Sequence, residues 1–224
     1  MKKGIFKDNQ SFKFDSSMII LIISNLIPIY GVLFWNWNIF NILILYWLES
    51  GIIGFFTIFK IMLSNGDLNY KNDKPIKLNL TLKIFLKLIL IPFFIIHYSI
   101  FMLVHLMFIY FISTLTKSPI QPFYLAMILL LYSIIFLISH GLSFINNFII
   151  KKEYEKISPN VAMASPYLRI IVMHLTILLG TFLFVIIGIP RIGSTLIIIL
   201  KTLLDLFFHY KEHQKMNISK PLKI

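Results

Sequence analysis

Six apolar stretches, each 18 to 26 residues long, constrain this chain more than any other feature. They lie near 18–35, 39–62, 91–113, 123–148, 167–189 and 192–212. At about 1.5 Å of rise per residue, each is long enough to cross roughly 30 Å of hydrocarbon as a helix. Composition agrees: 58% of the 224 residues are hydrophobic and only 13% are charged, against about 25% charged in an ordinary soluble domain. A mean hydropathy of +0.85 cannot be reached by burying one face of each element around a single core. The expected fold is all-α, an integral membrane helical bundle of six transmembrane helices. A soluble enzyme domain, a disordered chain and a disulfide scaffold are excluded. The lack of cysteine also removes Fe–S clusters and thiolate zinc sites.

Residues 1–17 form a basic leader, 18–213 the membrane domain and 214–224 a tail. The leader is followed by no small-x-small cleavage site, so the first apolar stretch is expected to remain as a helix. Residues 81–90, with Lys83 and Lys87 one turn apart among leucines, are expected to form an interfacial ramp, with Pro92 marking a kink. The linkers expected between spans are 36–38, 64–80, 117–122, 151–166 and 190–191. With the N-terminus inside, 18 basic residues fall on the cytoplasmic side, Arg169 among them, against Lys117 and Arg191 outside. This asymmetry predicts both termini in the cytoplasm. The +12 net charge is then a matter of orientation and of anionic lipid headgroups at the cytoplasmic face. No soluble domain is present to bind nucleic acid. The bilayer is the partner, and the plasma membrane the expected location.

Orientation gives each intramembrane polar residue a depth. Glu49 falls near the centre of the second span. His97, His140 and His174 each fall about four residues toward the cytoplasm from the centres of theirs, roughly 6 Å at the helical rise. Asp205 is about three residues inside the centre of the last span, and His209 lies one turn deeper. Charged groups at such depths cost roughly 2.5–3.5 kcal/mol each on insertion scales and mark functional sites. Lys201, Asp205 and His209, spaced four apart, share a helix face, and Lys201 is placed to neutralise Asp205 or to reach Glu49. His140, Ser143 and Asn147 line up on the fourth span. Gly51 and Gly54 have the spacing of a close helix approach. His105 falls in the outer half, about 80° around its helix from His97, and His213 at the interface.

Histidines and carboxylates without cysteine suit Zn²⁺, Fe²⁺ or Mn²⁺. The leading expectation is a metal-dependent intramembrane enzyme acting on a lipid-like substrate from the cytoplasmic leaflet. His97, His140, His174, Asp205 and His209 are its expected ligands, Glu49 its general base or acid, and Lys201 its stabiliser of developing negative charge. On this reading Glu49→Gln leaves the protein folded. A transporter or proton relay built on Glu49, Lys201, Asp205 and the histidines is the alternative, followed by a b-type haem protein with histidine axial ligands and by a scaffold in which the polar layer only packs helices.

Two resemblances bear on this. The scattered histidines and the Asp205-His209-His213 arrangement resemble the ceramidase-like membrane hydrolases, which have seven helices rather than six. The motifs Tyr46-Trp47-x-Glu49 with Gly54 and Lys60, His97-Tyr98-x-x-Phe101 with His105, and Ser139-His140-x-x-Ser143-Phe144-x-x-Asn147 resemble an uncharacterised family of prokaryotic multi-span membrane proteins. Pro166-Tyr167-x-Arg169 with His174, and Lys201-x3-Asp205-x3-His209, continue that pattern. The resemblance implies a multi-pass membrane protein and supplies no activity.

Overall fold

The computed structural model describes residues 28–67, 77–115, 117, 120–187 and 195–204. All regular structure among them is helical. Four helical stretches are long and apolar enough to cross a membrane: Ile39–Leu63 (α1), Leu80–Leu115 (α2), Pro122–Ile150 (α3) and Pro159–Leu178. The last is built from Pro159–Ala164 (α4) and the start of Tyr167–Ile187 (α5), and Thr195–Leu204 (α6) comes after it. The chain is therefore a multi-span helical membrane protein. Its leader, its tail, Asp205, His209 and His213 lie outside the described residues.

A helical segment over 28–34 ends where Asn36 takes a left-handed backbone (φ 51°), a conformation that asparagine tolerates. Trp37 then folds back, its N–H donating to the Gly31 carbonyl (3.0 Å). Its indole lies where a Cβ on Gly31 would stand, 2.3 Å from that position, so only glycine fits. Asn38 caps α1 by accepting from the Asn41 N–H (3.1 Å), satisfying one of the donors that a helix start leaves open.

α1 is the central element. Half of its 18-residue apolar window is buried, against 11% for α2 and 17% for α3. Those two present most of their apolar surface outward, as helices facing lipid do. α1 packs on α2, α3, α4 and α5, and its contact with α2 is close because Gly54 has no side chain. The Tyr98 ring of α2 occupies the space, and its hydroxyl donates to the Ser50 carbonyl (2.7 Å). The Trp47 indole ties the same pair by donating to the Met102 carbonyl (2.7 Å).

The structure differs from the sequence expectations at three places. Residues 81–90 are not a separate ramp: α2 runs unbroken through Pro92, which removes one hydrogen bond without ending the helix. The linker expected to reach Pro166 stops earlier, because Ser158-Pro159 opens α4. Proline is favoured at a first helical position, where its missing N–H has no partner to lose. Finally, α3 holds two π-helical turns, Ile128–Tyr132 and Phe144–Ile150. The second of these begins just after Ser143, and the expected His140, Ser143 and Asn147 row divides. His140 turns inward, while Asn147 bonds Ser143 (3.3 Å) and Lys151 (2.8 Å) at an exposed end.

At that end three segments meet. The Asn65 and Gly66 N–H groups donate to the Tyr154 and Ile157 carbonyls (2.7 and 3.0 Å). Lys83 on the first turn of α2 bonds the Asn65 carbonyl (2.6 Å) and pairs with Asp67 (3.1 Å). That ammonium holds the Asp67 carboxyl below the usual carboxylate range. The 64–67 and 153–157 segments therefore belong to one side of the membrane. A cysteine placed at exposed Asn65 or Glu155 should react with a membrane-impermeant maleimide from the same side, and one at Lys117 from the other. The natural chain has no cysteine to give background. Labelling of Asn65→Cys and Glu155→Cys from opposite sides would contradict this arrangement.

Candidate functional site

Glu49 sits near the middle of α1 and is 9% exposed. Three other helices bring cationic or titratable groups to its carboxylate. Lys201 of α6, itself 8% exposed, donates to Oε2 (3.1 Å), Arg169 of α5 approaches Oε1 through Nη1 (3.5 Å), and His140 Nε2 of α3 is 3.8 Å from the same oxygen. Lys201 also lies over the face of Tyr46, 4.2 Å from the ring centroid, an arrangement that partly replaces the water an ammonium loses on burial. Beside the group is a cavity of about 20 Å³, lined by Tyr46, Glu49, Ser50, Arg169, Met173 and Lys201 among others. This volume suits a water molecule or the small polar end of a ligand. The Ser50 hydroxyl donates to the Tyr46 carbonyl (2.9 Å) and approaches Met173 Sδ (3.6 Å).

Of the two expected placements for Lys201, the described residues give contact with Glu49. The pairing alters the expected result of Glu49→Gln. The carboxylate is held by cations, so neutralising it leaves Arg169 without its anion and Lys201 without one of its contacts.

Among the described residues, His97, His140 and His174 have separate partners; Asp205 and His209 of the same expected set lie outside those residues. His97 Nδ1 is 2.8 Å from the Tyr167 hydroxyl, with its ring stacked on Phe93 (5.2 Å, 16°) and edge-on to Phe101. His140 faces Glu49. His174 Nδ1 is 3.3 Å from His105 Nε2. Among the described residues no three of histidine, aspartate and glutamate gather to hold a metal ion. Depth places His97, His140 and His174 in one layer, but depth does not fix the direction a helix face points.

Two residues of these clusters, Arg169 and His105, belong to the motifs of the resemblance but not to the expected site. Arg169 counts among the cytoplasmic bases as long as Pro166 is taken for a helix start. With α4 included, it lies midway along Pro159–Leu178. The Ser158-Pro159 opening is the available signal. His105 stands apart from His97 by its angle on the helix, yet it is 1% exposed and meets His174 across α2 and α5.

Residues 7–221 match a family of unknown function (DUF6498). The chain belongs to that family. No curated protein and no solved structure was found to match it. Membership in DUF6498 covers nearly the whole chain and includes every residue of the Glu49 centre, but it carries no activity across. The chemistry of this DUF6498 member's centre is that of a buried carboxylate held by cationic and titratable groups from separate helices.

Proposed function

We propose that this protein is a plasma-membrane transport protein in which Glu49 is the proton-carrying group of a relay. Six spans with both termini in the cytoplasm accompany this reading, supported by a 17-to-2 distribution of basic residues once Arg169 is placed within its span and by the joined 64–67 and 153–157 segments. The cytoplasmic bases then face anionic lipid headgroups.

One observation carries the reading: the Glu49 carboxylate is gripped by Lys201, Arg169 and His140 from three different helices. Intramembrane ionisable groups that pair with one another mark ion and proton pathways. A proton arriving at Glu49 removes the charge that draws α5 and α6 toward α1, so protonation and helix position are linked. His140, partly exposed and 3.8 Å from the carboxylate, is the imidazole best placed to deliver that proton. The hydrolytic reading has less support because it needs Glu49 and Lys201 in separate roles, and here they are bonded to each other.

The experiment is proton flux into liposomes that contain the purified chain and a trapped pH-sensitive dye, driven by a potassium diffusion potential. The wild type should acidify the lumen faster than protein-free vesicles. The paired variant Glu49→Gln with Lys201→Met, which removes both charges together, should not. Flux equal to that of empty vesicles in the wild type, or undiminished flux in the paired variant, would refute the relay.

A further inference from the structure

The cations of the Glu49 centre are not equally engaged. Lys201 makes the short contact, 3.1 Å to Oε2. Arg169 reaches Oε1 through Nη1 at 3.5 Å, long beside the roughly 2.7–2.9 Å of a charged hydrogen bond. A guanidinium carries five N–H donors in a planar fork. Among the described residues the Arg169 guanidinium has this single acceptor, so most of its fork is unengaged. It nonetheless stands midway along its span, where an arginine is costly unless something negative meets it. Its side chain is 38% exposed and also lines the cavity of about 20 Å³. Arg169 thus faces both the carboxylate and an approach from outside the bundle.

The surroundings favour one kind of anion. A guanidinium fork matches a planar carboxylate through two parallel hydrogen bonds. Val172 and Met173, three and four residues on, share its helix face. Both line the same cavity and are 3% and 5% exposed, an apolar wall for a short carbon chain. The volume admits one small polar end, and the second charge of a dianion such as phosphate would enter hydrocarbon surroundings without a partner. Protonation sets the timing. While Glu49 is ionised it holds Arg169 and repels another carboxylate. Once a proton reaches Glu49 that grip weakens, and Arg169 takes the incoming anion instead. Proton and anion therefore favour each other's binding reciprocally, and together they carry no net charge. The other groups facing this exchange are Lys201 on α6, His140 on α3, Tyr46 on α1, and Tyr98 of α2 with Tyr167 beside it. The α4 helix brings no titratable side chain, and Asp205, one turn beyond Lys201, lies outside the described residues.

We propose that Arg169 is the seat of a small monocarboxylate that the protein moves together with the proton on Glu49. This rests on the relay reading and gives it a substrate class. Protons alone cross under a membrane potential, whereas a proton paired with a carboxylate needs none.

The probe is radiolabelled pyruvate, which is almost wholly anionic near neutral pH and so crosses bare lipid slowly. It is added outside the same dye-loaded liposomes, with equal potassium on both sides and valinomycin holding the potential at zero. The wild type should take up pyruvate above empty vesicles, faster as the external pH falls, and acidify the lumen by one proton per pyruvate. Excess acetate should compete, and excess chloride should not. Arg169→Gln, checked for folding by circular dichroism, should lose uptake at least tenfold. Arg169→Lys, which keeps the charge without the fork, should lose less. Potential-driven proton flux with no pyruvate uptake would overturn the seat and leave the relay standing. Pyruvate uptake without potential-driven proton flux would sink the free relay and keep the seat. Uptake that ignores external pH, persists undiminished in Arg169→Gln, or yields to chloride as readily as to acetate would also overturn the seat.

Discussion

Glu49→Gln should destabilise the protein by about 3–5 kcal/mol, the usual cost of removing one partner from a buried charge pair. Glutamine keeps the shape and removes the charge, so what remains is Arg169 facing an amide and Lys201 deprived of its 3.1 Å contact. The companion variant decides whether charge is the cause. Glu49→Gln combined with Lys201→Met should recover the part of the loss that comes from Lys201, because removing both members of that pair leaves no buried ammonium unpaired, while Arg169, the more exposed cation, still faces an amide. Thermal or denaturant unfolding in mixed micelles measures both. A single variant as stable as the wild type would show that the carboxylate is not what the cations are gathered around.

The second large effect is expected at Gly54. A Cβ there would stand 2.4 Å from Tyr98 Cε1 and 3.0 Å from two further ring atoms. The ring cannot swing away freely, because its hydroxyl is bonded to the Ser50 carbonyl and its face packs near Phe94 (4.9 Å). Gly54→Val should therefore cost about 1–3 kcal/mol through overpacking, and α1 and α2 should separate. Tyr98→Phe removes only the hydrogen bond and should cost about 0.5–1.5 kcal/mol. Placing Tyr98→Ala in the Gly54→Val background should give a combined loss smaller than the sum of the two single losses. Strict additivity would mean that the two residues do not meet as described.

The membrane-spanning character, the central depth of Glu49 and the close approach at Gly54 are legible in the sequence because each depends only on spacing along one helix. Length sets whether a helix spans, counting from its ends sets depth, and a missing side chain sets how near a neighbour comes. The histidines are not legible in the same way. Whether His97 meets His174 or Tyr167 depends on the relative rotation of α2 and α5, which no periodicity within either helix contains. The π-helical turn Phe144–Ile150 of α3 adds to this, because it changes the phase of Asn147 relative to His140. Arg169 is hidden for a local reason. Pro166 is a sound punctuation mark, but here it separates two helical pieces of one span instead of ending a loop.

The sequence separation within the Glu49 centre bears on how the protein is made. Arg169 lies 120 residues after Glu49 and Lys201 lies 152 residues after it. At roughly 5–20 residues per second of synthesis, α1 leaves the ribosome about 8–30 s before the lysine that grips its carboxylate exists. Until Arg169 emerges, with Lys201 only 32 residues behind it, Glu49 is an acid without a cation on an otherwise greasy helix. It has to wait protonated, shelter against the insertion machinery, or hold α1 short of its final depth. The last helix thus does more than complete the count of spans. Its arrival gives the first buried charge the closer of its two cations, and a nascent chain halted before Lys201 should be the form that quality-control proteases recognise.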